Sequence, residues 1–166
     1  MTATFSVETL ASHHDRKAFS SGVEALDRYF REQVTQDVRR RATACYVAVE
    51  AATGAVAGYY TLAASGILLA EIPEVLAKRL PRYASVPVAR LGRLAVATPY
   101  RGRQLGAMLL WDAALRAAQS GLGVFALVVD AKNDQAEAFY RHHGFVAFGS
   151  LPRQMILSLT NFPLGA

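Results

Sequence analysis

The chain has 166 residues, 52% hydrophobic and 19% charged, a balance that excludes a disordered polymer and fits one globular domain over residues 1–166. No apolar run approaches the ~20 residues a membrane span needs, and one cysteine, Cys45, excludes an internal disulfide. A formal net charge of +5 points to a polyanionic partner or a phosphorylated ligand.

The opening MTATFSVETLASHHDRK lacks the basic segment, apolar stretch and cleavage site of a secretory signal, so the expectation is a cytoplasmic protein without membrane association. Phe5 and Val7 mark a first strand. SGVE at Ser21–Glu24 has the capping-box pattern, a serine N-cap with glutamate three residues on. Val23, Leu26, Phe30 and Val34 then recur at helical spacing, which predicts one amphipathic helix over about 22–40 ending in Arg39, Arg40 and Arg41. TACYVAVEAATGAVAGYYTLAAS predicts a hairpin turning at Thr53-Gly54, with Cys45 as a core thiol. IPEVLAKRLPRY predicts a short helix opened by Pro73 and closed before Pro81.

A strand near 88–97 follows, then a glycine turn and a helix near 104–120 with Leu105, Leu109, Ala113 and Leu115 to Ala117 on its buried side. VFALVVD is a short unbroken apolar run, the mark of a buried strand. A helix near 133–142, a stop at Gly144 and two strands, FVAFG and RQMILSLT, complete the chain. The order βα-ββ-α-βαβα-ββ is a mixed α/β plan, a central sheet flanked by helices.

The chemistry concentrates in the second half. RGRQLGA opens a helix, where free backbone N–H groups and the helix dipole favour an anion. Gly102 and Gly106 allow close backbone approach, and Arg101 and Arg103 add charge suited to phosphate. Gln104 stands where a further glycine would be most at ease. A positive φ there costs a glutamine of order 1 kcal/mol, whereas a first-turn helical φ costs nothing. Downstream, Asn133 and Tyr140 lie seven apart, about two helical turns, so one face would carry both an amide and a phenol. The plainer reading makes Asn133 an N-cap and Tyr140 a core residue.

GRLAV at Gly92–Val96, RGRQLGA, and the asparagine followed by FYRHHGF together resemble the GNAT acetyltransferase superfamily. In the order FSSGVEALDRYF, VAGYYTLA, VPVARLGRLAV and AFYRHHGF, the chain is similar to the TacT-like GNAT toxins of bacterial toxin–antitoxin pairs. The resemblance implies a GNAT fold, a mixed and mostly antiparallel sheet splayed at its fourth strand. It implies acetyl-CoA as the cofactor, with its pyrophosphate on the backbone of Arg101, Gly102, Arg103, Gln104, Gly106 and Ala107. The strand edge at Leu94, Ala95 and Val96 would pair with the pantetheine, Asn133 would touch the cofactor arm, and Tyr140 would protonate the departing CoA thiolate. No metal is implied.

The acceptor amine must be neutral to attack a thioester. A lysine amine, pKa about 10.4, wants a general base, whereas an α-amine near 7.7–8.0 is already partly neutral. The second half has no carboxylate in an evident base position, and His142 and His143 sit among structural neighbours, so an α-amine is favoured. The basic surface favours one carried on RNA. The resemblance therefore implies acetylation of aminoacyl-tRNA by a translation-blocking toxin, with Arg90 and Arg93 as tRNA contacts and Arg39 to Arg41 as weaker ones. Such toxins are neutralised by a cognate ribbon-helix-helix-type antitoxin and often form homodimers. Two alternatives stay open: a GNAT enzyme for a small amine or protein N-terminus, and a degenerate GNAT binding module.

Overall fold

The computed structural model describes residues 4–162. Seven strands are ordered β1-β2-β3-β4-β5-β7-β6 in one sheet. They are β1 Phe5–Thr9, β2 Ala44–Glu50, β3 Val56–Leu68, β4 Ser85–Val96, β5 Ala126–Asp130, β6 Val146–Ala147 and β7 Gln154–Ser158. The helices are α1 Glu24–Glu32, α2 Val34–Arg39, α3 Glu74–Ala77, α4 Leu105–Ala118 and α5 Asp134–His142. The predicted order is the observed one except that two helices stand where one was expected between β1 and β2. Two compact units divide the chain: one runs through Ala63 and takes in Gly92–Ala113, the other holds Ala64–Leu91 and the chain from Ala114.

In the first unit β1, β2 and β3 pair antiparallel, and Gly54 with φ +74° makes the β2–β3 turn. The core gathers Phe19, Tyr29, Phe30, Val34, Cys45, Val47, Val56, Tyr59, Ala95 and Ala97. Phe30 stacks on Tyr59 at 4.3 Å between centroids, and the Tyr59 hydroxyl donates to the Leu26 carbonyl at 2.7 Å. Cys45 is a core thiol, as expected, and burial pushes its pKa up to about 12. Gly58 permits the seating of α4: a Cβ there would meet Leu109 Cδ1 at 2.8 Å and the Ala95 carbonyl oxygen at 2.9 Å. The buried His14 accepts the Ala11 N–H on Nδ1, which leaves Nε2–H to meet Glu8 at 2.6 Å.

Two local expectations change. The single helix over 22–40 is two helices, broken at Gln33 with φ −126°. The break turns the chain so that the Asp37 carboxylate accepts from the Tyr29 hydroxyl at 2.8 Å. Eight residues of continuous helix would set the two backbones about 12 Å apart along the axis. The capping box is also replaced. Val23 is the N-cap of α1, and the Ser21 hydroxyl accepts the Val23 N–H at 3.2 Å and donates to Asp27 at 2.6 Å. Glu24 turns outward to Arg28.

In the second unit β4 and β5 run parallel, Val88↔Ala126 to Leu91↔Val129, while β5 and β6 each pair antiparallel with β7. The β4–β5 ladder ends at Leu91↔Val129 although β4 continues to Val96. Ile67, Ile72, Val86, Val88, Ala126, Val128, Phe148 and Ile156 form this unit's core. Gly144 ends α5 with φ +95°, as its place in the sequence predicts. Among the described residues no helix is long and apolar enough to cross a membrane.

Candidate active site

The turn that leads into α4 is built from both ends. Ala97 donates to the Ala57 carbonyl at 2.8 Å, and a 3-10 turn at Thr98–Tyr100 follows. Thr98 donates its N–H to the Ser20 carbonyl at 2.9 Å, and the Arg101 guanidinium donates to the Ser21 carbonyl. The loop before α1 thus fastens the first half of the turn. Tyr100 holds the other flank, its hydroxyl donating to Glu50 at 3.1 Å and its ring 5.7 Å from the Arg103 guanidinium carbon.

Arg101, Gly102, Arg103 and Gln104 are all exposed, and left-handed residues alternate: Gly102 has φ +77° and Gln104 φ +60°. Left-handed residues in a turn before a helix are a backbone feature shared with anion-binding loops. Nothing lies within 4 Å of where a Gly102 Cβ would stand. The Gln104 carbonyl accepts the Met108 N–H at 3.1 Å, so α4 begins there with the N–H groups of its first turn outside the helical ladder. Gln104 therefore does sit in the left-handed region, and the strain of about 1 kcal/mol weighed from its sequence position applies. The turn accepts it because bonds on both sides hold it. The turn brings together in sequence an exposed backbone, the N-terminus of α4 and the exposed Arg103 guanidinium, groups whose chemistry suits an anion. The Arg101 side chain is occupied by the Ser21 carbonyl.

In the second unit Asn133 and Tyr140 lie at opposite ends of α5. Asn133 is the N-cap, with extended backbone (φ −161°) and Oδ1 accepting the Ala136 N–H at 2.8 Å. The expected shared helical face is accordingly corrected, since Asn133 precedes the helix rather than lying on its surface. Its exposed Nδ2 keeps two donors for a ligand. Tyr140 is 7% exposed, with its ring between Phe139 and Phe145 at 5.3 Å from each. Burial pushes its pKa up to about 12. Among the described residues no group bonds its hydroxyl. It is a phenol kept protonated and left without an intramolecular acceptor, which suits a proton donor. His143 packs edge-on to Phe139, and burial followed by the nearby His142 lowers its pKa.

The two arginines expected to meet RNA have different partners. Arg90 donates to Asp130 at 3.1 Å. Arg93 lays its guanidinium carbon 3.5 Å from the centre of the Tyr29 ring. Burial, then the bond to Asp37, raises the Tyr29 pKa well above the ordinary tyrosine range. Nothing in the sequence pairs Arg90 with Asp130, Arg93 with Tyr29 or Tyr29 with Asp37, so only the fold reveals these partners. Leu94, Ala95 and Val96 form the last three positions of β4, beyond the end of its ladder with β5.

The sheet is mostly antiparallel with one parallel pair, β4–β5, and the chain also carries a strand–turn–helix at Gly92–Ala113. The chain belongs to the GNAT acetyltransferase family, whose pattern matches residues 8–145. It is 35% identical over 145 residues to a tRNA-acetylating toxin of Mycobacterium tuberculosis, covering 86% of this chain and 85% of that one. Among solved structures it is similar to AtaT complexed with acetyl-methionyl-tRNAfMet, at 27% identity and a TM-score of 0.85, covering 93% of this chain and 95% of that one. It is also similar to AtaTR bound with AcCoA, at 27% identity and TM-score 0.80, covering 93% and 94%. An AtaT mutant toxin bound to the C-terminus of the antitoxin AtaR aligns at 25% identity and TM-score 0.78, covering 93% of each chain.

Proposed function

We propose that this protein is a translation-blocking toxin that acetylates the α-amine of aminoacyl-tRNA, the whole chain serving as one GNAT domain. Acetyl-CoA supplies the activated acetyl group. The observation that carries the reading is Tyr140, buried to 7% exposure, held protonated and with no acceptor of its own among the described residues. The identity with a tRNA-acetylating toxin supports the substrate class.

The backbone of Arg101, Gly102, Arg103, Gln104, Gly106 and Ala107 binds the pyrophosphate at the N-terminus of α4. Leu94, Ala95 and Val96 offer strand backbone to the pantetheine amides, and Asn133 Nδ2 donates to the cofactor arm. The neutral α-amine attacks the acetyl carbonyl carbon, forming a C–N bond as the C–S bond breaks. Tyr140 gives its proton to the departing sulfur, and the proton lost by the amine restores the phenol through solvent. A blocked α-amine no longer accepts a growing peptide. Arg90 and Arg93 contact the tRNA, and the protein acts in the cytoplasm, as a homodimer, under a ribbon-helix-helix-type antitoxin.

Radiolabelled acetyl transfer to charged and deacylated tRNA tests this reading. Label is expected on charged tRNA only, released with the amino acid on mild alkaline deacylation. Tyr140→Phe is expected to lower kcat by roughly 10²–10⁴-fold and to leave acetyl-CoA binding intact by calorimetry. No transfer to charged tRNA, or full activity of the phenylalanine variant, overturns it.

A further inference from the structure

Three side chains of the first unit form a chain of contacts that the acetyl-transfer chemistry does not use. Asp37 on α2 accepts from the Tyr29 hydroxyl at 2.8 Å. Tyr29 on α1 is 7% exposed, and its ring face meets the Arg93 guanidinium carbon at 3.5 Å. Arg93, on β4, is half-buried, and no carboxylate pairs with it among the described residues.

Geometry gives this arrangement its meaning. A guanidinium carries five N–H donors in its own plane and none on its faces. Stacking on an aromatic ring therefore orients the group while leaving every donor free. An ion pair does the opposite: Arg90, three residues earlier, spends Nη1 on Asp130. A half-buried, unneutralised guanidinium fixed by its face is a fork presented to an oxyanion, and a phosphodiester accepts such a fork bidentately. The Gln33 break between α1 and α2 is what lets Asp37 reach back and lock the ring.

Resting on the tRNA-acetylating reading above, we propose that Tyr29 and Asp37 are positioning residues for RNA. Asp37 locks the Tyr29 ring, the ring holds the Arg93 guanidinium by its face, and Arg93 thereby presents its in-plane donors to a phosphodiester of the tRNA acceptor end. Neither Tyr29 nor Asp37 touches RNA. They remove in advance the entropy that a long side chain loses on binding, a factor of roughly two to ten in affinity.

The test is a double-mutant cycle on the full chain, read by anisotropy of labelled deacylated tRNA at several salt concentrations, with acetyl transfer measured alongside. Tyr29→Leu is expected to weaken RNA binding by roughly two- to tenfold with the salt slope unchanged, because the charge remains. Arg93→Ala is expected to weaken it further and to lower the salt slope by about 0.7. In the Arg93→Ala background Tyr29→Leu should add nothing. The milder Tyr29→Phe and Asp37→Asn keep the ring and the fold, and each should raise the KM for charged tRNA by roughly twofold without changing kcat or the Kd of acetyl-CoA. Wild-type RNA affinity in Tyr29→Leu overturns the proposal, as does an equal loss with and without Arg93. Wild-type KM in both milder variants overturns the role of Asp37. A wild-type chain that shows the coupling yet transfers no acetyl group to charged tRNA sinks the functional reading and upholds the platform. Acetyl transfer without the coupling sinks the platform alone.

Discussion

Arg90 and Asp130 are joined across the parallel β4–β5 ladder, Nη1 to Oδ2 at 3.1 Å, two residues beyond the Arg90↔Val128 register. The pair is open to solvent, with side-chain exposures of 30% and 62%, so it contributes little stability. Its consequence is electrostatic, because it neutralises one of the two arginines expected to face RNA. Asp130→Asn should therefore leave urea stability within about 0.5 kcal/mol of wild type. It should tighten tRNA binding by roughly two- to fivefold at low salt, a gain that disappears at high salt. Unchanged affinity at low salt would remove Arg90 from the RNA surface.

Gln104, at φ +60°, holds a left-handed backbone that glycine adopts without strain. Gln104→Gly relieves about 1 kcal/mol of strain but frees the unfolded chain by about 0.4–1 kcal/mol. Stability and acetyl-CoA affinity should consequently stay near wild type. Gln104→Val places a branched Cβ in the same backbone and should lose about 1–2 kcal/mol, with acetyl-CoA binding weakened about tenfold as the turn relaxes. Calorimetry and thermal unfolding measure both effects. A valine variant that binds and melts like wild type would mean the turn does not depend on this geometry.

Asn133 separates capping from cofactor contact. Asn133→Ala removes the acceptor for the Ala136 N–H and should cost about 1 kcal/mol of stability. Asn133→Asp keeps the cap and discards the amide donors. The expected outcome is a melting temperature near wild type with a raised KM for acetyl-CoA. If Asn133→Asp binds acetyl-CoA as tightly as wild type, the residue is a cap and nothing more.

Alkaline pH should weaken the fold by a definite route. Burial raises Cys45 from an ordinary 9.0 to about 12 and Tyr140 from 10.0 to about 12, and raises Tyr29 and Tyr59 as well. Each group holds its proton in the folded chain at a pH where the unfolded chain releases it. Their contribution is whole below the unfolded pKa and is lost as pH climbs toward the folded one. Urea unfolding at pH 8 to 11 should show stability falling from about pH 9, and Cys45→Ala should delay that onset to about pH 10. A flat profile to pH 11 contradicts the buried-thiol reading.

The elements were legible because their signals are local. Two β-rich runs around Thr53-Gly54 wrote β2 and β3, the unbroken run VFALVVD wrote β5, and glycines closed turns at Gly54 and Gly144. The strand–turn–helix around RGRQLGA was legible for the same reason, since its donors come from adjacent backbone. Local signals misled where a distant partner outbid a near one. Ser21 takes Asp27 in place of Glu24, and Gln33 leaves the helix so that Val34 is fully buried and Asp37 reaches Tyr29.

By itself, then, the sequence determined the order of the strands, most of the helices, the strand–turn–helix around RGRQLGA and the phenol on α5, because periodicity and neighbouring backbone suffice for these. Only the tertiary structure decided what each charge does. It gave the Arg101 guanidinium to the Ser21 carbonyl, Arg90 to Asp130 and Arg93 to the Tyr29 ring. It also decided that Gln104 is left-handed. A long cation reaches partners tens of residues away in sequence, and backbone handedness at one position follows from how the flanking segments are held. No pattern in the neighbouring residues encodes either.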